Sequence, residues 1–254
     1  MIDTHTHLYF SEFDEELTVL IEKCQSAGVK HLILPNVDKD SFPQMVAMHQ
    51  KFPNYTSKAI GLHPTEVKEN WEEFVDQFET ELKSGTYVAI GEIGIDLYWD
   101  KSYLQFQKDA FERQIKLGEK FNLPLIIHCR EALNETLEII AKVKPKVPLV
   151  FHSFTGKKED VERIREICDP WFGINGVVTY KNAQELREAL NEIGLPKILL
   201  ETDSPYLTPV PFRGHVNNSS YLVHIRDKIA DCLGICPEIV DEITDQNARL
   251  VFKI

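Results

Sequence analysis

Short apolar runs rich in β-branched residues recur along the chain, each followed by a segment with helical apolar spacing. The runs are IDTHTHL (2–8), HLILPN (31–36), SKAIGLH (57–63), YVAIGEIG (87–94), PLIIHC (124–129), PLVFHSF (148–154), WFGING (171–176) and KILLETD (197–203). The segments between them include EELTVLIEKCQSAG, DKDSFPQMVAMHQKF, LQFQKDAFERQIKLGEKFN and EALNETLEIIAKV. In the first of these, Leu17, Leu20, Ile21 and Cys24 fall at i, i+3, i+4 and i+7, one face of a helix. The strand runs read as buried on both sides, as in a parallel sheet covered by helices. Eight such strands in a chain of 254 residues predict an α/β fold, a (β/α)8 TIM barrel. A doubly wound open sheet is the alternative architecture, but the glycine fingerprint of dinucleotide folds is absent. After the eighth run, TPVPFRGHVNNSS reads as a long loop, followed by helical SYLVHIRDKIADCLG and CPEIVDEITDQNARLVF. No proline-rich linker, low-complexity tract or internal repeat divides the chain, so residues 1–254 are expected to form a single domain.

Composition narrows the class. With 43% hydrophobic and 27% charged residues the chain is ordinary for a globular protein. No run approaches the ~18 apolar residues of a membrane span, and the first residues resemble no signal or transit peptide. Five scattered cysteines form no CxxC pair, and CLGIC (232–236) reads as one helix face. Reduced thiols and a cytoplasmic location are expected. The formal charge, 28 − 40 = −12, excludes a protein that coats nucleic acid by broad phosphate neutralisation. Any phosphate chemistry must be local.

The polar residues fall in one kind of place. The first strand carries His5 and His7, which alternate positions put on one face. The third run ends in His63, the fourth in Glu92, the fifth in His128 and Arg130, the sixth in His152 and the eighth in Asp203. Barrel enzymes build their sites at this edge. Taken singly, each has an ordinary reading: His63 caps a loop, His128 is a satisfied core histidine, Glu92 is a turn acid, and Asp203 caps a turn. Taken together, several unrelated explanations would be needed for one pattern. His31, His49, His215 and His224 lie elsewhere and read as solvated or loop residues. Imidazoles and carboxylates converging at one rim point to a metal site.

THTHL, GEIGID, LIIHCR, FHSFTG and LLETDSPYL, in this order, resemble the TatD-type metal-dependent deoxyribonucleases of the amidohydrolase-like barrel superfamily. The resemblance runs from Ile2 to NARLVF near the C-terminus. It implies a hydrolase with two divalent metal ions. His5, His7 and Asp203 would hold one, His128 and His152 the other, and Glu92 would bridge them. A bridging anion is also what two neighbouring cations require, and no strand end offers a lysine for carbamylation. Asp203 would double as the base that takes a proton from water. Imidazole-rich sites favour Zn²⁺ or Mn²⁺, whereas the resemblance also admits Mg²⁺. Asp3 and Asp96 either orient histidines or face solvent.

His63, Arg130 and Arg213 resemble positions that bind substrate phosphate, although Arg130 has an ion pair with a rim acid as its alternative. Tyr98, Trp99 and Phe154 are either stacking faces for a base or packing residues. Where the family usually carries roughly RGKRNEP, this chain reads RGHVNNS (213–219), with fewer cations. The expected activity is a phosphodiesterase, a 3′-5′ exonuclease on single-stranded DNA or RNA, with polarity taken from the resemblance alone. The alternatives are a metal-dependent amidohydrolase or esterase acting on a small molecule, and a barrel scaffold with a decayed site. Decay is disfavoured because all six ligand positions hold competent residues. No membrane and no obligate protein partner are expected.

Overall fold

The computed structural model describes residues 1–13 and 16–254. Eight parallel strands follow one another around a barrel: β1 (Ile2–Asp3), β2 (His31–Pro35), β3 (Thr56–Ile60), β4 (Tyr87–Asp96), β5 (Leu125–Arg130), β6 (Leu149–Phe151), β7 (Trp171–Ile174) and β8 (Ile198–Leu200). The intervening helices are α1 (Leu17–Ser26), α2 (Phe42–Lys51), α3 (Trp71–Leu82), α4 (Leu104–Phe121), α5 (Leu133–Val143), α6 (Lys158–Arg165) and α7 (Gln184–Ile193). Two more, α8 (Leu222–Leu233) and α9 (Pro237–Phe252), follow the last strand. The expected TIM barrel is the observed fold. The seam between β1 and β8 is closed past the strands themselves: the Thr4 amide donates to Leu200 O (3.0 Å), Asp203 to His5 O (2.9 Å) and His7 to Ser204 O (2.8 Å). Among the described residues no helix is long and apolar enough to cross a membrane.

The helices cover the barrel with the apolar faces their spacing encodes. Leu20, Ile21 and Cys24 of α1 are buried, as are Phe111 and Ile115 of α4. Each such aliphatic or aromatic side chain contributes roughly 1.5–3 kcal/mol on burial. Inside the barrel, a smaller cluster joins Ile2, Ile33, Ala59, Ala89, Ile126, Val150 and Leu199 with Ala248, Val251 and Phe252 of α9. The last helix therefore plugs the end of the barrel where the strands begin, and the opposite end is left for polar groups.

These inward apolar residues set the register of everything above them. Side chains alternate along a strand, so two residues beyond Ile126 comes His128, beyond Val150 comes His152, and beyond Leu199 comes Glu201. Strand β4 breaks this rule. Ile90 pairs with Leu125 and Ile93 with Ile127, so β4 carries one residue more than its neighbour across that interval. This bulge turns Glu92, three residues beyond Ala89, toward the same axis. The approach of the strands here depends on glycine. Gly94 has φ +143°, and a Cβ on it would overlap the His128 carbonyl oxygen.

Several sequence expectations are corrected. The first strand is two residues long, because Thr6 leaves the ladder to donate its N–H to Ile33 O and to bridge Ser204. His5 and His7 thus lie beyond it. CLGIC is not one helix face: Gly234, at φ +66°, ends α8, and Cys236 precedes α9. His31, in β2, and His49, in α2, are half-buried rather than solvated loop residues. His31 Nε2 is 2.8 Å from Ser57 Oγ and His49 Nδ1 is 3.0 Å from Thr56 Oγ1, both at the plugged end. His224 lies on α8, half-buried beside Phe212.

Burial, reinforced by the charges of Arg249 and His49, pushes the His31 imidazole down to about 4 from an ordinary 6.5. Because this folded-state pKa is depressed, the stability it reflects is fully present above pH 6.5 and is lost as the pH falls toward 4. Replacing His31 with Gln, which keeps a polar partner for Ser57, should flatten that acid slope. The difference should be on the order of 1–2 kcal/mol once solvent screening is allowed for. Urea unfolding of both proteins between pH 4 and 7 measures it, and parallel curves would contradict the assignment.

Candidate metal centre

At the open end of the barrel, side chains from six strand ends meet around the Glu92 carboxylate. Its Oε2 lies 3.1 Å from His5 Nε2 and 3.9 Å from His7 Nε2. The two imidazole nitrogens are themselves 3.2 Å apart, and Asp203 Oδ1 stands 3.7 Å and 3.6 Å from them. Its other oxygen, Oε1, lies 2.7 Å from His128 Nδ1, 3.1 Å from His152 Nε2 and 3.3 Å from His63 Nε2. One carboxylate thus divides five histidines into two sets. His5, His7, Glu92 and His152 are almost fully buried, whereas the Asp203, His63 and His128 side chains are 13–14% exposed and form the edge open to solvent.

Electrostatics follow from packing these groups together. Burial alone would raise the Glu92 pKa, but the fields of His152, His63 and His5 and the hydrogen bond from His128 hold it well below the usual carboxylate range. Asp203 is likewise lowered against its burial, by His7 and then by the fields of His152 and His5. Burial pushes His5 and His63 down. His128 and His152 are pushed down by burial too, yet Asp96 with Glu92, and Glu92 with Glu201, outweigh it and raise both. Asp203 has φ +57°, a left-handed conformation that Asp tolerates better than most residues. Its amide on His5 O anchors that turn.

The far nitrogens of the imidazoles are held as well. His7 Nδ1 is 2.9 Å from Tyr9 Oη, whose own hydrogen is donated to Pro35 O at 2.5 Å, so His7 Nδ1–H is the donor. His7 Nε2 therefore turns a lone pair inward. His128 Nε2 is 2.8 Å from Asp96 Oδ2. His63 differs: its Nδ1 accepts the Thr65 amide (3.2 Å), which leaves Nε2–H as a donor facing Glu92. Two imidazole nitrogens face Glu92 Oε2, with Asp203 Oδ1 beside them, and three face Oε1; nitrogens and carboxylate oxygens gathered in this way are donor chemistry suited to divalent cations. The combinations His5–His7–Glu92 and His63–Glu92–His128 each bring ligand atoms within 4.8 Å of one another.

The remaining sequence candidates separate. Asp3 is fully buried and receives the Thr202 amide (3.0 Å) and hydroxyl (2.7 Å), so it ties β1 to the end of β8 rather than touching an imidazole. Asp96 holds His128. Phe154 is buried edge-on against Phe172 (4.8 Å) and is a packing residue. Tyr98 and Trp99 are 49% and 70% exposed. Arg130 lies 3.7 Å above the Tyr98 ring, and Arg213 3.8 Å above Tyr180. Neither arginine has an ion pair among the described residues. The other six arginines all reach a carboxylate or a carbonyl oxygen. In RGHVNNS, His215 and Val216 are exposed, whereas Asn217 is buried and donates to Thr202 O and Tyr206 O, shaping the loop. Tyr9 and Glu201 escaped the sequence reading. Tyr9 shares the parity of His5 and His7, and Glu201 lies two residues before Asp203; both signals were present in the spacing.

The chain is similar to known proteins over its whole length. A family model described as TatD related DNase matches residues 2–253. A metal-dependent hydrolase of Bacillus subtilis is 33% identical over 255 residues, covering 100% of this chain and 99% of that protein. A 3′-5′ ssDNA/RNA exonuclease TatD of Pectobacterium parmentieri is 28% identical over 260 residues, covering all of both chains. The crystal structure of YJJV, a TatD homologue from Escherichia coli K12, superposes with a TM-score of 0.92 at 25% identity, over 100% of this chain and 98% of that one.

Proposed function

We propose, for a chain that belongs to the TatD-related DNase family of metal-dependent hydrolases, a two-metal phosphodiesterase that trims single-stranded DNA or RNA from its 3′ end. The observation that carries this reading is the division of nitrogen ligands between the two oxygens of Glu92. His5, His7 and Asp203 would hold one divalent ion and His128 and His152 the other, with Glu92 between them. Zn²⁺, Mn²⁺ and Mg²⁺ are the candidates. Such ions supply Lewis-acid polarisation of a phosphoryl oxygen and acidify the attacking water.

The chain's own residues do the rest. Asp203, on the solvent-open edge, takes the proton of the attacking water as its oxygen bonds to phosphorus and the bond to the leaving 3′ oxygen breaks. His63, with Nε2–H as a donor, is placed to hydrogen-bond a phosphate oxygen. Arg130 and Arg213 lie on tyrosine faces, with no carboxylate or carbonyl partner among the described residues, on the β4–β5 and β7–β8 sides of the mouth. They suit neighbouring phosphates on either side of the bond being cut. Trp99 offers its exposed ring to an unpaired base. Its amide and that of Tyr98 both donate to Asp96 Oδ1 (3.3 and 2.9 Å), so this aromatic turn hangs from the acid that holds His128. A duplex is too wide to reach groups set below such a rim, and a chain of charge −12 offers it no long cationic groove.

Purified protein should carry up to two divalent ions per chain by elemental analysis. His5→Ala and His128→Ala should each lower that content and abolish hydrolysis while the circular dichroism spectrum is kept. Full activity after exhaustive chelation would refute the metal reading.

Asp203→Asn should slow turnover by roughly 10²–10⁴, the range for a lost general base. A rate within twofold of the wild type, measured on an aryl phosphodiester, would remove Asp203 from the proton transfer. The same assay run with aryl esters and cyclic amides separates the phosphodiesterase from a small-molecule amidohydrolase.

A linear single strand should be degraded from its 3′ end, faster than duplex and more slowly at high salt. A covalently closed circle of the same sequence should resist. Rapid cutting of the circle would overturn entry by a free end.

A further inference from the structure

Beneath the two imidazole sets lies an acid with no part in the reaction described above. Glu201 is completely buried, with 0% exposure, two residues beyond the inward Leu199. Its Oε1 accepts the Ser153 amide at 2.5 Å and lies 3.3 Å from His152 Nδ1, the nitrogen facing away from Glu92. That second contact is short of hydrogen-bond geometry, and His152 Nδ1, Glu201 Oε2 and His5 Nδ1 are all buried without a hydrogen-bond partner among the described residues. A ring nitrogen of His5, one of His152 and a Glu201 oxygen lie within 4.8 Å of one another. The His5 and His152 rings are stacked, 3.6 Å between centroids and 17° between planes. Space for the carboxylate is provided by β7: a Cβ on Gly173 would overlap the Glu201 carboxyl group.

A buried carboxylate is costly unless something repays its desolvation. A histidine that presents one nitrogen to a metal usually donates from the other to a carboxylate or carbonyl. His7 meets that need through Tyr9 and His128 through Asp96. We infer that Glu201 is the positioning residue for His152 and, through the ring stack, for His5. It accepts the proton-bearing Nδ1 side of His152, so that the Nε2 lone pair faces Glu92. Because the stacked pair draws one ring from each imidazole set, a single carboxylate orients ligands of both proposed ions from below, while Glu92 joins the same sets from above. This inference rests on the two-metal reading.

The test titrates metal-free protein with Zn²⁺ and with Mn²⁺ against a chromophoric chelator, without substrate. Glu201→Ala removes the acceptor and should weaken affinity by roughly 10–100-fold. Glu201→Gln keeps an oxygen where Oε1 stands and should restore most of it. Gly173→Ala leaves the acid in place but displaces it, and should weaken binding as Glu201→Ala does. In ¹⁵N spectra of the histidine rings, the wild type should show His152 protonated at Nδ1, and Glu201→Ala should show mixed tautomers. Wild-type affinity in folded Glu201→Ala and Gly173→Ala, with only their melting temperatures lowered, would overturn the inference and leave Glu201 a packing residue. If the wild type itself bound neither ion, the two-metal reading would fall first, a result distinct from failure of the Glu201 assignment.

Discussion

The open end of this barrel is organised by one constraint: a single carboxylate must face five imidazoles at once. Glu92 meets it by giving one oxygen to His5 and His7 and the other to His63, His128 and His152. Cations or charged imidazoles crowded into a poorly solvated site repel strongly, and an anion among them makes the arrangement tolerable. The backbone serves this requirement. Regular alternation from Ala89 would have sent Glu92 outward, and the extra residue in β4 turns it to the axis. Gly94 then lets β4 run close against His128.

A second layer follows from the first. An imidazole is a useful ligand only if its other nitrogen keeps the proton, so each ring needs a fixed partner behind it. Tyr9 and Asp96 have that place for His7 and His128. His63 is the exception: its Nδ1 accepts a backbone amide, which makes it a donor toward the cluster. Within the cluster, Asp203, His63 and His128 form the edge that reaches solvent.

Around the mouth the problem is different, because the chain as a whole is strongly acidic. A guanidinium that found a carboxylate would be neutralised before any phosphate arrived. Arg130 and Arg213 rest instead on Tyr98 and Tyr180, which support a cation through the ring face, and neither has an ion pair among the described residues. A few stacked cations give local positive charge on an acidic protein. The loop that carries Arg213 takes its shape from Asn217, which the sequence retains while it loses the basic residues beside it.

The sequence by itself determined the barrel, because strand and helix periods are local properties and eight alternations leave few topologies. It also placed the ligand-type residues at one rim, since each closes an apolar run and all parallel strands end on the same side. The family was legible in five ordered motifs for the same reason. Only the tertiary structure decided how those residues divide. Which oxygen of Glu92 faces which histidine depends on a bulge whose register is defined against β5, not within β4. The carboxylates behind His128 and His152 come from other strands, Asp96 from β4 and Glu201 from the end of β8, lodged against Gly173 of β7. His31 and His49 were grouped in sequence with His215 and His224; their contacts with Ser57 and Thr56 of β3, a long-range property, set them apart.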